Sequence, residues 1–134
     1  MKQLFEISKK SGHGEKYELL SMLLDYIKHE TIISTYDLEL VLDEALTNAM
    51  EHGNKWNESK QVHVSLQEAE DSYVVKVRDE GSGFDHENHP LKLDANDLLR
   101  LRGRGIYIMR HFCDVRWNNE GDEITLTLAK VKEK

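Results

Sequence analysis

The sequence predicts an α+β fold: a mostly antiparallel sheet with helices laid on one face, a two-layer α/β sandwich. Three observations predict it. Two stretches in the first half repeat apolar residues every three to four positions, the period of amphipathic helices. Segments 61–67 and 73–78 alternate apolar and polar residues around a short acidic turn, and segments 114–118 and 123–129 read the same way, so each pair suits an antiparallel hairpin. Finally, 134 residues are long enough to bury one core but not two, so 1–134 is expected to form a single domain.

Residues 4–8 alternate and suit a short first strand, broken by Ser11-Gly12-His13-Gly14. Residues 15–29 are helical by pattern, with Tyr17, Leu20, Leu23, Leu24 and Ile27 on one face. A β-branched connector at 31–35 follows, in which Ser34 or Thr35 is placed to cap the next helix. That helix, 37–54, gathers Leu38, Val41, Leu42, Ala45, Leu46, Ala49 and Met50 into one stripe, and Gly53-Asn54 is its stop signal. In 61–67, Val62, Val64 and Leu66 point inward while His63 and Ser65 point outward, His63 as a solvated strand residue. Tyr73, Val75 and Val77 share the inner face of 73–78. The loop 79–84 then leads to an irregular segment, 85–94, holding the only proline, Pro90. Residues 95–101 suit one or two helical turns, and a glycine loop at 102–105 opens an apolar helix over 106–112. Ile124, Leu126 and Leu128 face inward from the last strand, after a turn at 119–122.

Composition excludes several function classes. A formal net charge of -7 argues against nonspecific binding to nucleic acid or to anionic membrane. No segment approaches the roughly 20 apolar residues that span a bilayer, and the N-terminus lacks the apolar run of a signal peptide. The single cysteine, Cys113, has no partner for an internal disulfide, so a cytoplasmic setting is the default. Its neighbours Ile108, Met109 and Phe112 suggest a packed thiol rather than a nucleophile.

Three features could carry chemistry. On the 37–54 helix, Glu44, Asn48 and His52 form a row at i, i+4, i+8. Alone, that row reads as a solvated polar edge. The loop Asp79-Glu80-Gly81-Ser82-Gly83-Phe84 alone is a turn that needs positive φ. Gly103-Arg104-Gly105 opens a helix, where exposed backbone N–H groups suit an anion. His86 and His89, beside Asp85 and Glu87, lack further ligands at a recognised metal spacing. Lys55 suits either a phosphate contact or a solvated turn, and Trp56 and Trp117 read as core or interface aromatics.

In this order and in one small chain, the three features resemble the ATP-binding domain of the GHKL superfamily, shared by type II topoisomerases, heat-shock chaperones, histidine kinases and mismatch-repair ATPases. Its N-box, E-x-x-x-N, is matched by Glu44 and Asn48, and its first glycine box, D-x-G-x-G-F, by Asp79, Gly81, Gly83 and Phe84. Gly103-Arg104-Gly105 matches the second glycine box. The wording EALTNAMEHGN, followed by GRGIYIMRHFCDVRW, is similar to the anti-sigma-factor serine kinases of bacterial partner-switching systems, over roughly residues 35–129.

The resemblance implies the Bergerat, or histidine-kinase-like ATPase, fold and the cofactors ATP and Mg²⁺. It implies that Asp79 accepts a hydrogen bond from the adenine amino group and that Gly81, Gly83 and Phe84 line the purine. Asn48 is the implied magnesium ligand. Gly103, Arg104, Gly105 and Ile106 would hold the phosphates, Glu44 would be the general base, and residues 85–102 would form a lid. His52 is expected to be structural. The implied function is an ATP-dependent serine/threonine-protein kinase and anti-sigma factor that binds a sigma factor and phosphorylates an anti-sigma-factor antagonist. A non-catalytic, nucleotide-gated binding module of the same fold is the alternative. A homodimer formed through the N-terminal strand is also implied. Two departures stand out: Arg102 replaces the small residue usual before the second glycine box, and segment 15–29 has no arginine where sporulation-type relatives use one to engage partners.

Overall fold

The structure, a computed structural model, describes residues 1–81 and 103–131, with residues 103–106 described by their backbone only. Its elements are β1 (Lys2–Lys10), α1 (His13–Ile27), α2 (Thr35–Thr47), a π-helical turn (Asn48–Gly53), β2 (Gln61–Glu68), β3 (Ser72–Arg78), α3 (Gly103–Phe112), β4 (Asp114–Trp117) and β5 (Glu123–Ala129). The strands form one sheet in the order β1-β2-β3-β5-β4, every neighbouring pair antiparallel. This is the expected α+β architecture. Both expected hairpins form, and the β4–β5 turn contains Gly121 at φ 75°, a left-handed conformation that glycine adopts without strain.

Strand alternation decides which side chains meet the helices. Val62, Val64 and Leu66 of β2, Val75 and Val77 of β3, and Leu126 and Leu128 of β5 lie essentially out of reach of solvent. They share a core with Leu19 and Leu23 of α1 and Leu38, Val41 and Leu46 of α2. Burying each such side chain contributes about 1.5–3 kcal/mol. The opposite sheet face carries polar groups, among them Glu6, Ser65, Lys76, Arg78 and Glu123 around a shallow groove. No helix among the described residues is long and apolar enough to cross a membrane.

Four expectations are corrected. The first strand is longer than 4–8, because β1 pairs with β2 from Lys2 to Lys10 around an irregularity between Gln3 and Phe5. The first helix spans His13–Ile27 rather than 15–29, starting from Gly12, whose carbonyl accepts from the Lys16 N–H at 2.9 Å. Tyr17 is not on its buried face: the ring is 61% exposed, and Lys16 with Leu19 takes the inner row. Lysine is tolerated there because its stem packs while its ammonium reaches Asp43 Oδ1 at 3.0 Å on α2. That contact ties α1 to α2 as an ion pair. Lastly, the helix expected over 37–54 is α-helical only to Thr47 and then widens into the π-turn.

Candidate functional site

Helix α2 begins where the connector predicts. Ser34 is its N-cap, accepting from the Asp37 N–H at 3.2 Å, and the acidic Asp37 sits in the positive first turn. The buried stripe Leu38, Val41, Leu42, Ala45 and Leu46 fixes the rotation of the helix on the sheet. Glu44 is therefore half-buried on the flank, with Asn48 one turn further along. From Asn48 the bonding changes, and the Asn54 N–H reaches back five residues to the Ala49 carbonyl at 2.9 Å. Single π-turns of this kind cost regular packing and concentrate at functional sites. Here the turn brings Asn48, His52 and Gly53 onto a small cavity that is also lined by Asp79, Trp117, Gly121 and Asp122.

Asp79 follows the last residue of β3 and is only 9% exposed. Its N–H donates to the Asp122 carbonyl at 2.9 Å, and its Oδ1 accepts from the Gly81 N–H at 2.8 Å. Two glycines make this packing possible. A Cβ on Gly53 would overlap the Asp79 carboxylate, and one on Gly81 would overlap the Gly53 carbonyl. The end of the π-turn and the loop after β3 thus interlock backbone against carboxylate.

A third tie holds the same loop. Asn54 is 1% exposed, and its side-chain bonds cross to other segments. Its Nδ2 donates to Ser11 Oγ at 2.7 Å and to the Gln61 carbonyl at 3.0 Å, while its Oδ1 accepts from the Glu80 N–H at 2.8 Å. The Glu80 carboxylate accepts from the Gln61 N–H at 2.7 Å and meets His63 Nε2 at 3.1 Å. These two contacts, the backbone one first, hold the Glu80 carboxyl below the usual range. His63 Nδ1 lies 2.7 Å from Ser8 Oγ. A carboxylate only accepts, so Nε2 is the nitrogen that donates to Glu80. His63 is thus no solvated strand residue, which corrects the sequence expectation. Sequence reading missed Asn54, His63 and Glu80 as neighbours of the site. Asn54 looked like a helix stop, and no local signal marks its long-range partners.

Lys55 and Trp56 follow at φ 54° and 56°, both in the left-handed region that favours glycine. Trp56 is held by its N–H to the Met50 carbonyl at 2.7 Å and by its ring stacked on His13 at 4.0 Å. It packs against the core, as does Trp117. Lys55 is exposed.

Of the expected site residues, the structure brings Asn48 and Asp79 to one cavity, with His52 beside them. Glu44 stands one helical turn from Asn48, outside the cavity lining. Gly81 is placed by its contact with Gly53. Gly103 and Gly105 begin α3, which packs against α2. The Arg104 and Ile106 side chains, Gly83, Phe84, Arg102, His86, His89, the 95–101 helical turns and the lid at 85–102 lie outside the described residues. Cys113 is packed as expected: its Sγ contacts the Met109 carbonyl at 3.3 Å, and burial, then Asp114, pushes the thiol up to about 12. Among the described residues no three His, Cys, Asp or Glu side chains cluster to hold a metal ion.

The chain matches the family described as the histidine kinase-like ATPase domain over residues 26–128. It is 27% identical over 99 residues to the serine-protein kinase RsbW of Listeria monocytogenes, covering 68% of this chain and 63% of that protein. It is also 32% identical over 106 residues to the anti-sigma F factor of Clostridium perfringens, covering 76% and 75%. With the anti-sigma F factor of Priestia megaterium the identity is 38% over 82 residues, covering 58% and 55%. The match spans a little under two thirds of the length of the serine-protein kinase relative. A match over most of the sequence, joined to this sheet order and to the Asn48–Asp79 cavity, places the chain in the histidine kinase-like ATPase family.

Proposed function

We propose that this chain binds ATP with Mg²⁺ in the cavity between the π-turn and β3, and transfers the γ-phosphoryl group to a serine or threonine of a small anti-sigma-factor antagonist. It also holds a sigma factor. The observation that carries this reading is the meeting of Asn48 and Asp79 in one cavity in a member of an ATPase family. The relatives add support, since one is named a serine-protein kinase and two are named anti-sigma F factors.

Each residue has a chemical task. The Asp79 carboxylate accepts from the exocyclic amino group of adenine, and guanine offers an oxygen at that position. Asn48 would hold Mg²⁺ through its side-chain oxygen. Among the described residues its buried Nδ2 has no hydrogen-bond partner, and a half-turn of the amide exchanges that nitrogen for the oxygen. A Mg²⁺ ion held by Asn48 would supply positive charge against the phosphates. Gly103, Arg104, Gly105 and Ile106, at the start of α3, would hold the phosphates at a helix N-terminus, and 85–102 would cover the nucleotide. Glu44 takes the proton from the substrate hydroxyl as its oxygen bonds to the γ-phosphorus. The bond from that phosphorus to the bridging oxygen breaks, and ADP leaves with the electron pair. The reading includes 1–134 as one domain, a cytoplasmic location and a homodimer. β1 lies at the edge of the sheet, where an unpaired strand suits pairing with a second copy.

The test is incubation of the chain with Mg·ATP and an antagonist protein, followed by phosphoamino-acid analysis. Wild type should yield phosphoserine or phosphothreonine, and Glu44→Gln should bind ATP yet transfer about 100-fold more slowly. Equal transfer by Glu44→Gln removes the base. ATP binding without any transfer would leave a nucleotide-gated binding module.

A further inference from the structure

We infer that Asn54 and Glu80 are positioning residues for base recognition, together holding the turn Asp79-Glu80-Gly81 in the geometry that aims Asp79 at the nucleotide. This role rests on the reading of Asp79 as the adenine contact.

The three backbone N–H groups of that turn are each satisfied by a different acceptor. The Asp79 N–H goes to the Asp122 carbonyl, the Glu80 N–H to Asn54 Oδ1, and the Gly81 N–H to Asp79 Oδ1. Only the middle one depends on a distant side chain. The amide orientation of Asn54 follows from its partners, an N–H on one side and a carbonyl on the other. Asn54 is itself anchored at Ser11, beyond the end of β1, and at Gln61, the start of β2. Glu80 returns to that same Gln61 through its carboxylate and to His63 two residues on. Gln61, Asn54 and Glu80 therefore close a loop of hydrogen bonds that pins the turn to the sheet from its outer side.

On its inner side the turn packs against the Gly53 backbone. The Asp79 carboxylate accepts from the Gly81 N–H within the turn, so the backbone that the outer loop of bonds holds is the backbone that aims it. Without the Asn54 amide, the Glu80 N–H loses its partner and the turn is free to rotate about the Asp79 anchor. A carboxylate out of register no longer separates an amino group from a carbonyl oxygen, so base preference should suffer before folding does.

The experiment measures dissociation constants for ATP and for GTP by calorimetry on the full chain, comparing wild type with Asn54→Leu and Glu80→Ala. Asn54→Leu keeps the side-chain size and removes the amide. Glu80→Ala alters an exposed side chain and leaves folding intact, so it decides the matter if Asn54→Leu does not fold. The GTP-to-ATP ratio of dissociation constants should fall about tenfold in Asn54→Leu and about threefold in Glu80→Ala. Simple destabilisation would scale both nucleotides alike. A wild-type ratio in folded Asn54→Leu, or in Glu80→Ala, overturns the inference while leaving the reading of Asp79 intact. Wild-type protein with no preference for ATP overturns both.

Discussion

Gly53 lies against the Asp79 carboxylate so closely that no side chain fits at position 53. The contact joins the end of the π-turn to the loop after β3, and it forms one wall of the cavity. Gly53→Ala must displace either the carboxylate or the turn. ATP affinity, measured by calorimetry, should fall at least about tenfold, with a cost of about 1–3 kcal/mol in urea unfolding from overpacking. An alanine variant with unchanged affinity would mean that Asp79 does not contact the nucleotide. Gly81→Ala should be worse, because its obstacle is the Gly53 carbonyl, a backbone atom that cannot rotate away.

Lys55 has left-handed φ of 54° without being a glycine. That conformation costs an ordinary residue about 1–2 kcal/mol. Lys55→Gly should therefore stabilise the fold by about 1 kcal/mol, seen as a higher urea midpoint at unchanged slope. Trp56 shares the conformation, but its ring stacks on His13 and packs on the core, so Trp56→Gly should destabilise instead.

The Glu80 carboxyl is held below its ordinary value of 4.5, chiefly by the Gln61 N–H and then by His63. A depressed carboxyl contributes stability that is present above the unfolded pKa and lost as pH falls through the folded one. Wild type and Glu80→Gln should therefore differ in Tm at pH 6, and that difference should shrink as pH falls below about 4.5. A difference that grows in acid would contradict the assignment.

Burial raises the Cys113 thiol to about 12, with Asp114 adding to the shift. At pH 8 only about one thiol in ten thousand is ionised, and the thiolate is the reactive form. Alkylation should be very slow in the native protein and complete within minutes in denaturant. Fast native alkylation would show that the thiol is not packed as described.

The sequence alone made the fold class, both hairpins and the inward-facing strand residues legible, because alternation and helical period report directly which side of an element is apolar. Its motif positions also single out Asn48 and Asp79, which line one cavity in the fold. The N-cap at Ser34 was legible for a local reason, since its partner Asp37 lies within one turn. Tyr17 shows the limit of such reading. A face through 17, 20, 23, 24 and 27 fits helical spacing as well as one through 16, 19, 20, 23 and 27, and the Asp43 carboxylate on another helix gives the inner Lys16 its partner.

What tertiary structure decided is concentrated around the site. The widening of α2 into a π-turn, the burial of Asn54 and the His63–Glu80 contact all depend on partners from other elements. Residue type and local spacing set which side of the chain is buried, and so the sequence determined the sheet, the helices and the candidate chemistry. Hydrogen bonds among Ser11, Asn54, Gln61 and Glu80 exist only once the sheet has brought those segments together, and the placement of the Glu80 backbone next to Asp79 is therefore a property of the assembled fold.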